Sequence, residues 1–187
     1  LELRLVSYNI LGGDGTAGAG ANAWAPRKDL VAGLLRNQRA DVISLQKAAR
    51  LSLDDLHQAL PGYGEAGVAR NDGKESGEYA AILYRSDRFT AESSGTFWLS
   101  DTPTVAGSAS WGARQARVCT WVHLVDRVTQ AGFYVFNTHL DPTNATVRDN
   151  SAALILNRIK ARATRDPFID RKSTRLNSSH TDISRMP

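Results

Sequence analysis

Apolar and polar residues along this chain recur with two different periods, and the switches between them outline the fold. Leu3, Leu5 and Val6 mark a strand over about 2–9, which ends in Ser7-Tyr8-Asn9 and runs into a glycine-rich loop at 12–20. Leu30, Val31, Leu34 and Leu35 recur at helical spacing and predict one apolar stripe on a helix near 27–37. The run from Asp41 to Gln46 reads as a short buried strand, and a helix over 52–60 follows, closed by Pro61-Gly62. Strands are then predicted over 79–84 and 89–93, before a loop at 94–115 that is rich in Gly, Ser, Thr and Pro. The runs 116–125 and 133–137 form a hairpin pair, and Val147, Leu154, Ile155 and Ile159 predict a last helix over 145–164. Strand-helix-strand-helix followed by a meander implies an α/β (α+β) layered domain with mixed sheets.

Two strand ends depart from packing logic. The apolar run Gly132-Phe133-Tyr134-Val135-Phe136 closes with Asn137-Thr138-His139-Leu140-Asp141, which delivers an amide, a hydroxyl, an imidazole and a carboxylate together. The first strand closes with Asn9. Binding and catalytic groups collect where strands hand over to loops, so the two ends point to one shared polar site. The loop at 12–20 lacks the Gly-Lys-Ser/Thr ending of a phosphate-cradling loop and reads as a connection. His57 and His123 fall inside regular patterns and read as structural. Trp24, Trp98 and Trp121 read as packing residues, whereas Trp111, in the long loop, is a candidate substrate contact.

Composition changes this picture little. With 187 residues, 42% hydrophobic and 22% charged, the chain suits one domain with a substantial core. Its single cysteine, Cys119, lies in an apolar run, which excludes a disulfide framework. No apolar run approaches the length of a membrane span. The chain opens on Leu1 already in strand pattern, which leaves the cellular location open. Of the net charge of +4, half belongs to residues 170–187, and the remaining excess steers a polyanion only weakly. Residues 170–187 show neither strand alternation nor an apolar helical face, as expected of a disordered tail. Asp170 to His180 also match one reading frame of a common short-read sequencing adapter, and Ser184 to Pro187 match its continuation. The natural sequence is therefore expected to be cut near Ile169, so that 1–169 is the N-terminal portion of a domain and 170–187 an artefactual tail.

Four segments in order carry a resemblance. They are Ser7-Tyr8-Asn9, Asp41 to Lys47, Gly77 to Arg85 with Glu78 near its start, and Phe136 to Asp141. They resemble the endonuclease/exonuclease/phosphatase superfamily, which includes pancreatic deoxyribonuclease, abasic-site endonucleases and inositol-polyphosphate phosphatases. The loop from Gly95 to Pro103, with Gly107-Ser108 and Trp111, looks like its bacterial branch. The resemblance spans about residues 2–165. It implies a four-layer sandwich of two packed mixed β-sheets flanked by helices, and hydrolysis of a phosphodiester or phosphomonoester assisted by Mg²⁺ or Mn²⁺. Asn9 matches a metal-site asparagine, Glu78 an acidic residue supporting the catalytic histidine network, and His139 the histidine that hydrogen-bonds the scissile phosphate. Asn137 and Asp141 flank His139 as further catalytic candidates, and Arg117 falls where the family often places an arginine near substrate. The implied partner is a phosphate ester, whether nucleic acid or a sugar or inositol phosphate, handled by a monomer.

Two departures qualify the resemblance. The family places a metal-binding glutamate after Leu-Gln, and this chain has Lys47 there. An ammonium has donors and no lone pair, so it cannot ligate a metal. At about 4 Å it would repel a cation by roughly 4 kcal/mol per unit charge at an effective dielectric near 20. Either this copy is a weakened or inactive relative, or Lys47 is a one-base error, since a single base separates the glutamate and lysine codons. Taken as it stands, Lys47 makes a catalytically dead phosphate-binding relative, with the ammonium on the phosphate, the alternative to a metal-dependent phosphoesterase. The family's downstream Gly-Asp-x-Asn and Asp-His motifs would also lie beyond residue 169, so the resemblance implies a C-terminally truncated domain, incompletely folded and without turnover.

Overall fold

The computed structural model describes residues 1–11, 23–173 and 180–185, with side chains described over 1–11 and 23–171. The glycine-rich loop at 12–20 lies outside the described residues. The strands are β1 Glu2–Asn9, β2 Val42–Gln46, β3 Tyr63–Ala66, β4 Ile82–Arg85, β5 Phe89–Trp98, β6 Val118–Asp126, β7 Gly132–His139, β8 Phe168–Ser173 and β9 His180–Arg185. The helices are α1 Lys28–Gln38, α2 Arg50–Ala59 and α3 Ala145–Lys160. The first sheet has the order β3-β4-β2-β1-β9 and the second β5-β6-β7-β8. Both are mixed: β1 runs parallel to β2 and β7 parallel to β8, and the other pairs are antiparallel. No helix among the described residues is long and apolar enough to cross a membrane.

Three apolar layers make this a four-layer α/β/β/α sandwich. Val31 and Leu35 of α1 and Leu53 and Leu56 of α2 pack on Val6, Ile43 and Leu45 of the first sheet. Ile155 and Ile159 of α3 pack on Cys119, Tyr134 and Phe136 of the second. Between the sheets lie Leu3, Leu5, Val42, Phe89, Leu124, Phe133 and Val135. Cys119 is fully buried, and that burial, with the Asp170 carboxylate adding to it, pushes its thiol well up.

The inner face explains where a site forms. Successive side chains of a strand alternate between faces. Along β1 the inward residues are Leu3, Leu5, Ser7 and Asn9; along β2 they are Val42, Ser44 and Gln46; along β7 they are Phe133, Val135, Asn137 and His139. Each strand thus grades from apolar to polar in the same direction. At the apolar rim Arg88 closes the sandwich, with Nη1 2.8 Å from Asp41 Oδ1 and Nε 3.0 Å from Asp126 Oδ2. At the polar end Asn137, fully buried, joins the two sheets. Its Nδ2 donates to the carbonyls of Leu45 and Ala81, both at 2.8 Å, and its Oδ1 accepts from Gln46 Nε2 at 2.7 Å.

Several elements differ from their sequence expectation. In α1 the buried stripe is Val31, Ala32 and Leu35, while Leu30 and Leu34 are exposed. Helical geometry sets Leu30 and Leu34 about 100° around from Val31 and Leu35, and the sheet covers the side on which the small Ala32 allows close approach. β5 runs ten residues, through Ser94-Gly95-Thr96, because main-chain pairing with β6 extends to Trp98. Gly95 is required there: a Cβ would meet the Trp121 indole at 2.9 Å. β3 is a short half-buried strand without apolar alternation. Beyond Ile169, where no element was expected, β8 continues to Ser173 beside β7 and β9 pairs with β1. Both are edge strands held through backbone groups, which polar sequences supply as readily as apolar ones.

Asn137→Ala removes three buried hydrogen bonds between the sheets. It is expected to lower the unfolding free energy by about 3 kcal/mol, read from the urea midpoint at constant m-value. An unchanged midpoint would show that the sheets are joined by apolar contacts alone.

Candidate functional site

A cleft opens at the polar end of the sandwich, lined by Lys47, Arg70, Glu78, Arg117 and His139, with Tyr79, Ala80 and Val118 completing its walls. Its inner cavity of about 10 Å³ has room for a single water. Lys47 follows the last residue of β2, His139 is the last residue of β7, and Arg117 directly precedes β6. Arg70 and Glu78 sit on the two arms of a turn. Arg70 N–H donates to Glu78 O at 3.1 Å, and the Arg70 guanidinium donates to Glu78 Oε2. Trp98 Nε1 donates to the Arg70 carbonyl at 2.6 Å and fixes that arm from below.

Arg117 is the unusual member. Its side chain is 9% exposed, and its charged neighbour among the described residues is Asp141, 3.9 Å from Nη2. Its Nε is buried without a hydrogen-bond partner, as is the Nε of Arg70. Burial pushes the Arg117 guanidinium down from its ordinary value and neighbouring Arg70 pushes further, while Asp141 and Glu78 oppose them. A buried cation with so little compensation is costly, and an anion in the cleft would supply what it lacks.

The sequence candidates divide. Glu78, His139, Arg117 and Lys47 come together in the cleft. Asn9 is buried at the end of β1, in register with Gln46, one residue from Lys47, but does not line the cavity. Asn137, expected beside His139 as a catalytic group, is engaged between the sheets: side chains two apart on a strand share a face, but Asn137 lies one step deeper. Asp141 builds a helix entry. Its Oδ1 accepts from Thr143 N, Thr143 Oγ1 and Asn144 N at 2.9, 3.0 and 2.9 Å, and Asn144 caps α3 by accepting from Val147 N. Asp141 therefore acts on the cleft through Arg117. Trp111 is outside the cavity lining, with Nε1 donating to Asp101 Oδ1 at 2.8 Å, so the long loop holds it against itself. His57 meets Glu65 at 2.6 Å and His123 meets Asp166 at 2.7 Å, both away from the cleft lining. Arg70 belongs to none of the four sequence segments, although the Asn71-Asp72-Gly73 turn signal between Arg70 and Glu78 places opposite charges on the arms of one turn.

The side chains that line the cleft among the described residues do not by themselves make a donor set for Mg²⁺ or Mn²⁺. Hard divalent cations take oxygen ligands. Here Lys47 brings an ammonium, Glu78 is engaged by Arg70, and no three acidic, histidine or cysteine side chains converge for a metal among the described residues.

Comparison with known proteins explains this architecture. An endonuclease/exonuclease/phosphatase family protein from Bacteroides thetaiotaomicron superposes with a TM-score of 0.86 at 35% identity, over 92% of this chain and 63% of that one. The chain has the fold of the endonuclease/exonuclease/phosphatase family. Within it, a mannosyl-6-phosphatase from Bacteroides thetaiotaomicron VPI-5482 matches with a TM-score of 0.85 at 36% identity, over 90% of this chain and 63% of that one. An uncharacterised protein of Acanthamoeba polyphaga mimivirus is 23% identical over 153 residues, 78% of this chain and 57% of that protein. No protein-family model matches. The chain spans about three-fifths of the length of these relatives. Superfamily neighbours include phosphatases, so the fold is that of a phosphoesterase family.

Burial would raise the Asp141 carboxyl, but the hydrogen bonds from Thr143 and Asn144, with the charge of Arg117, hold it below the usual carboxylate range. A group depressed in the folded state contributes stability above its unfolded pKa of about 3.9 and loses it as pH falls through the folded value. The stability gap between the unchanged chain and Asp141→Asn should therefore be full at pH 6 and shrink as pH falls from about 5 towards 2. Urea titrations at a series of pH values measure it; a gap independent of pH would contradict this assignment.

Proposed function

We propose that the chain is the phosphate-recognising portion of a phosphoesterase acting on a phosphodiester or phosphomonoester. The supporting observation is the nine-tenths buried Arg117 guanidinium, with an unpartnered Nε, on the wall of a cleft that also holds Arg70 and His139. Planar guanidinium groups match phosphate oxygens bidentately, and both arginines have donors to offer. In this reading Arg117 and Arg70 hold the phosphate, and His139 donates to an oxygen or carries a proton near neutral pH. Glu78 fixes the direction of Arg70, Asp141 that of Arg117, and Asn137 the spacing of the strands beneath. None of these roles passes through the Mg²⁺ or Mn²⁺ implied by the sequence resemblance.

For the substrate, the 36% identity to a mannosyl-6-phosphatase supports a phosphomonoester of a small polar molecule such as a sugar.

Inorganic phosphate is expected to raise the thermal midpoint of the 187-residue chain. Arg117→Met should weaken phosphate binding by about ten-fold or more, as expected for loss of a charged hydrogen bond. A chain indifferent to phosphate with and without Mg²⁺, or an Arg117→Met variant that binds equally well, would refute the reading.

A further inference from the structure

We propose that Lys47 is a built-in cation that stands in for a divalent metal, so that this cleft holds the phosphate group of a monoester without metal. The proposal rests on the phosphate reading above and adds the source of charge. The charge arrangement of the cleft, the backbone at Lys47 and the donor set support it.

The first is the charge arrangement. Arg70 has Glu78 as counter-ion and Arg117 has Asp141 at 3.9 Å, whereas Lys47 makes no hydrogen bond or ion pair with any described residue. The cleft therefore carries a net positive charge that its own carboxylates leave unmatched. A phosphate monoester brings up to two negative charges and is the complement of such a site.

The second is the backbone. Lys47 sits at φ 55°, a left-handed conformation that costs a non-glycine residue energy and persists where its surroundings enforce it. Both neighbours are fixed. Gln46 O accepts from Ile10 N at 3.1 Å and its side chain donates to Asn137, while Ala48 O accepts from Tyr79 N at 2.7 Å. A one-residue kink between two anchored residues sets the direction of its side chain, and that direction is the cleft.

The third is the donor set. With an ammonium at this position and Glu78 tied to Arg70, the cleft repels a divalent ion while keeping donors for oxyanions.

Calorimetric titration of the full chain with inorganic phosphate, in EDTA and again in Mg²⁺, tests this together with Lys47→Gln and Lys47→Glu. The expected result is equal affinity in both buffers for the unchanged chain, with about ten-fold weaker binding for Lys47→Gln in EDTA. Lys47→Glu should lose phosphate in EDTA and recover it in Mg²⁺. Binding by the unchanged chain only in Mg²⁺, or a Lys47→Gln variant that binds normally in EDTA, would overturn the role of Lys47 and leave the phosphate reading standing. Failure of the unchanged chain to bind phosphate in either buffer would overturn both.

Discussion

The distance between the two sheets at one end of this molecule is set by a single amide. Asn137 reaches from β7 to the carbonyls of Leu45 and Ala81 and to the side chain of Gln46, so strands from both sheets share one hydrogen-bonded node. An apolar residue there would let the sheets settle at whatever spacing packing preferred. Directional bonds instead fix the strand ends from which His139, Lys47 and Arg117 emerge. Satisfied buried networks of this kind rigidify and specify one arrangement. The ion pairs of Arg88 with Asp41 and Asp126 close the opposite rim, leaving the purely apolar layer between two polar fastenings.

On that frame the cleft collects an excess of cations. Its arginines are held by carboxylates that are themselves held: Glu78 through the turn that carries Arg70, Asp141 through the entry of α3. The fold thus carries a positively charged recess assembled from three strand ends and a turn, and the charges come from side chains. Fold alone does not fix chemistry, so the residue at position 47 bears more on function than the sandwich around it.

Much of this was legible in the sequence, for physical reasons. β1, β2, β6 and β7 are buried strands, and buried strands announce themselves as apolar runs; where the runs turned polar, at Asn9 and Asn137 to Asp141, the structure has its polar end. Lys47 stood out because its charge contradicted the role implied by its neighbours. Other features left no such trace. β3, the far half of β5, β8 and β9 depend on backbone pairing, which carries no side-chain signature. The α1 stripe is displaced because the small Ala32 faces the core while Leu30 and Leu34 do not. Arg70 was hidden because its partner Glu78 is eight residues away across a turn, and the outward placement of Trp111 depended on a hydrogen bond to Asp101 within a long loop.

Cys119 gives the molecule a built-in reporter. It is the single sulfhydryl in the chain, it sits on the β6 strand between the second sheet and α3, and its surroundings keep it protonated and out of solvent. Alkylating reagents attack the thiolate, so they can reach it only when α3 lifts away or the sheet opens. The rate of its modification would therefore time the breathing of the layer beneath α3 with no engineered label.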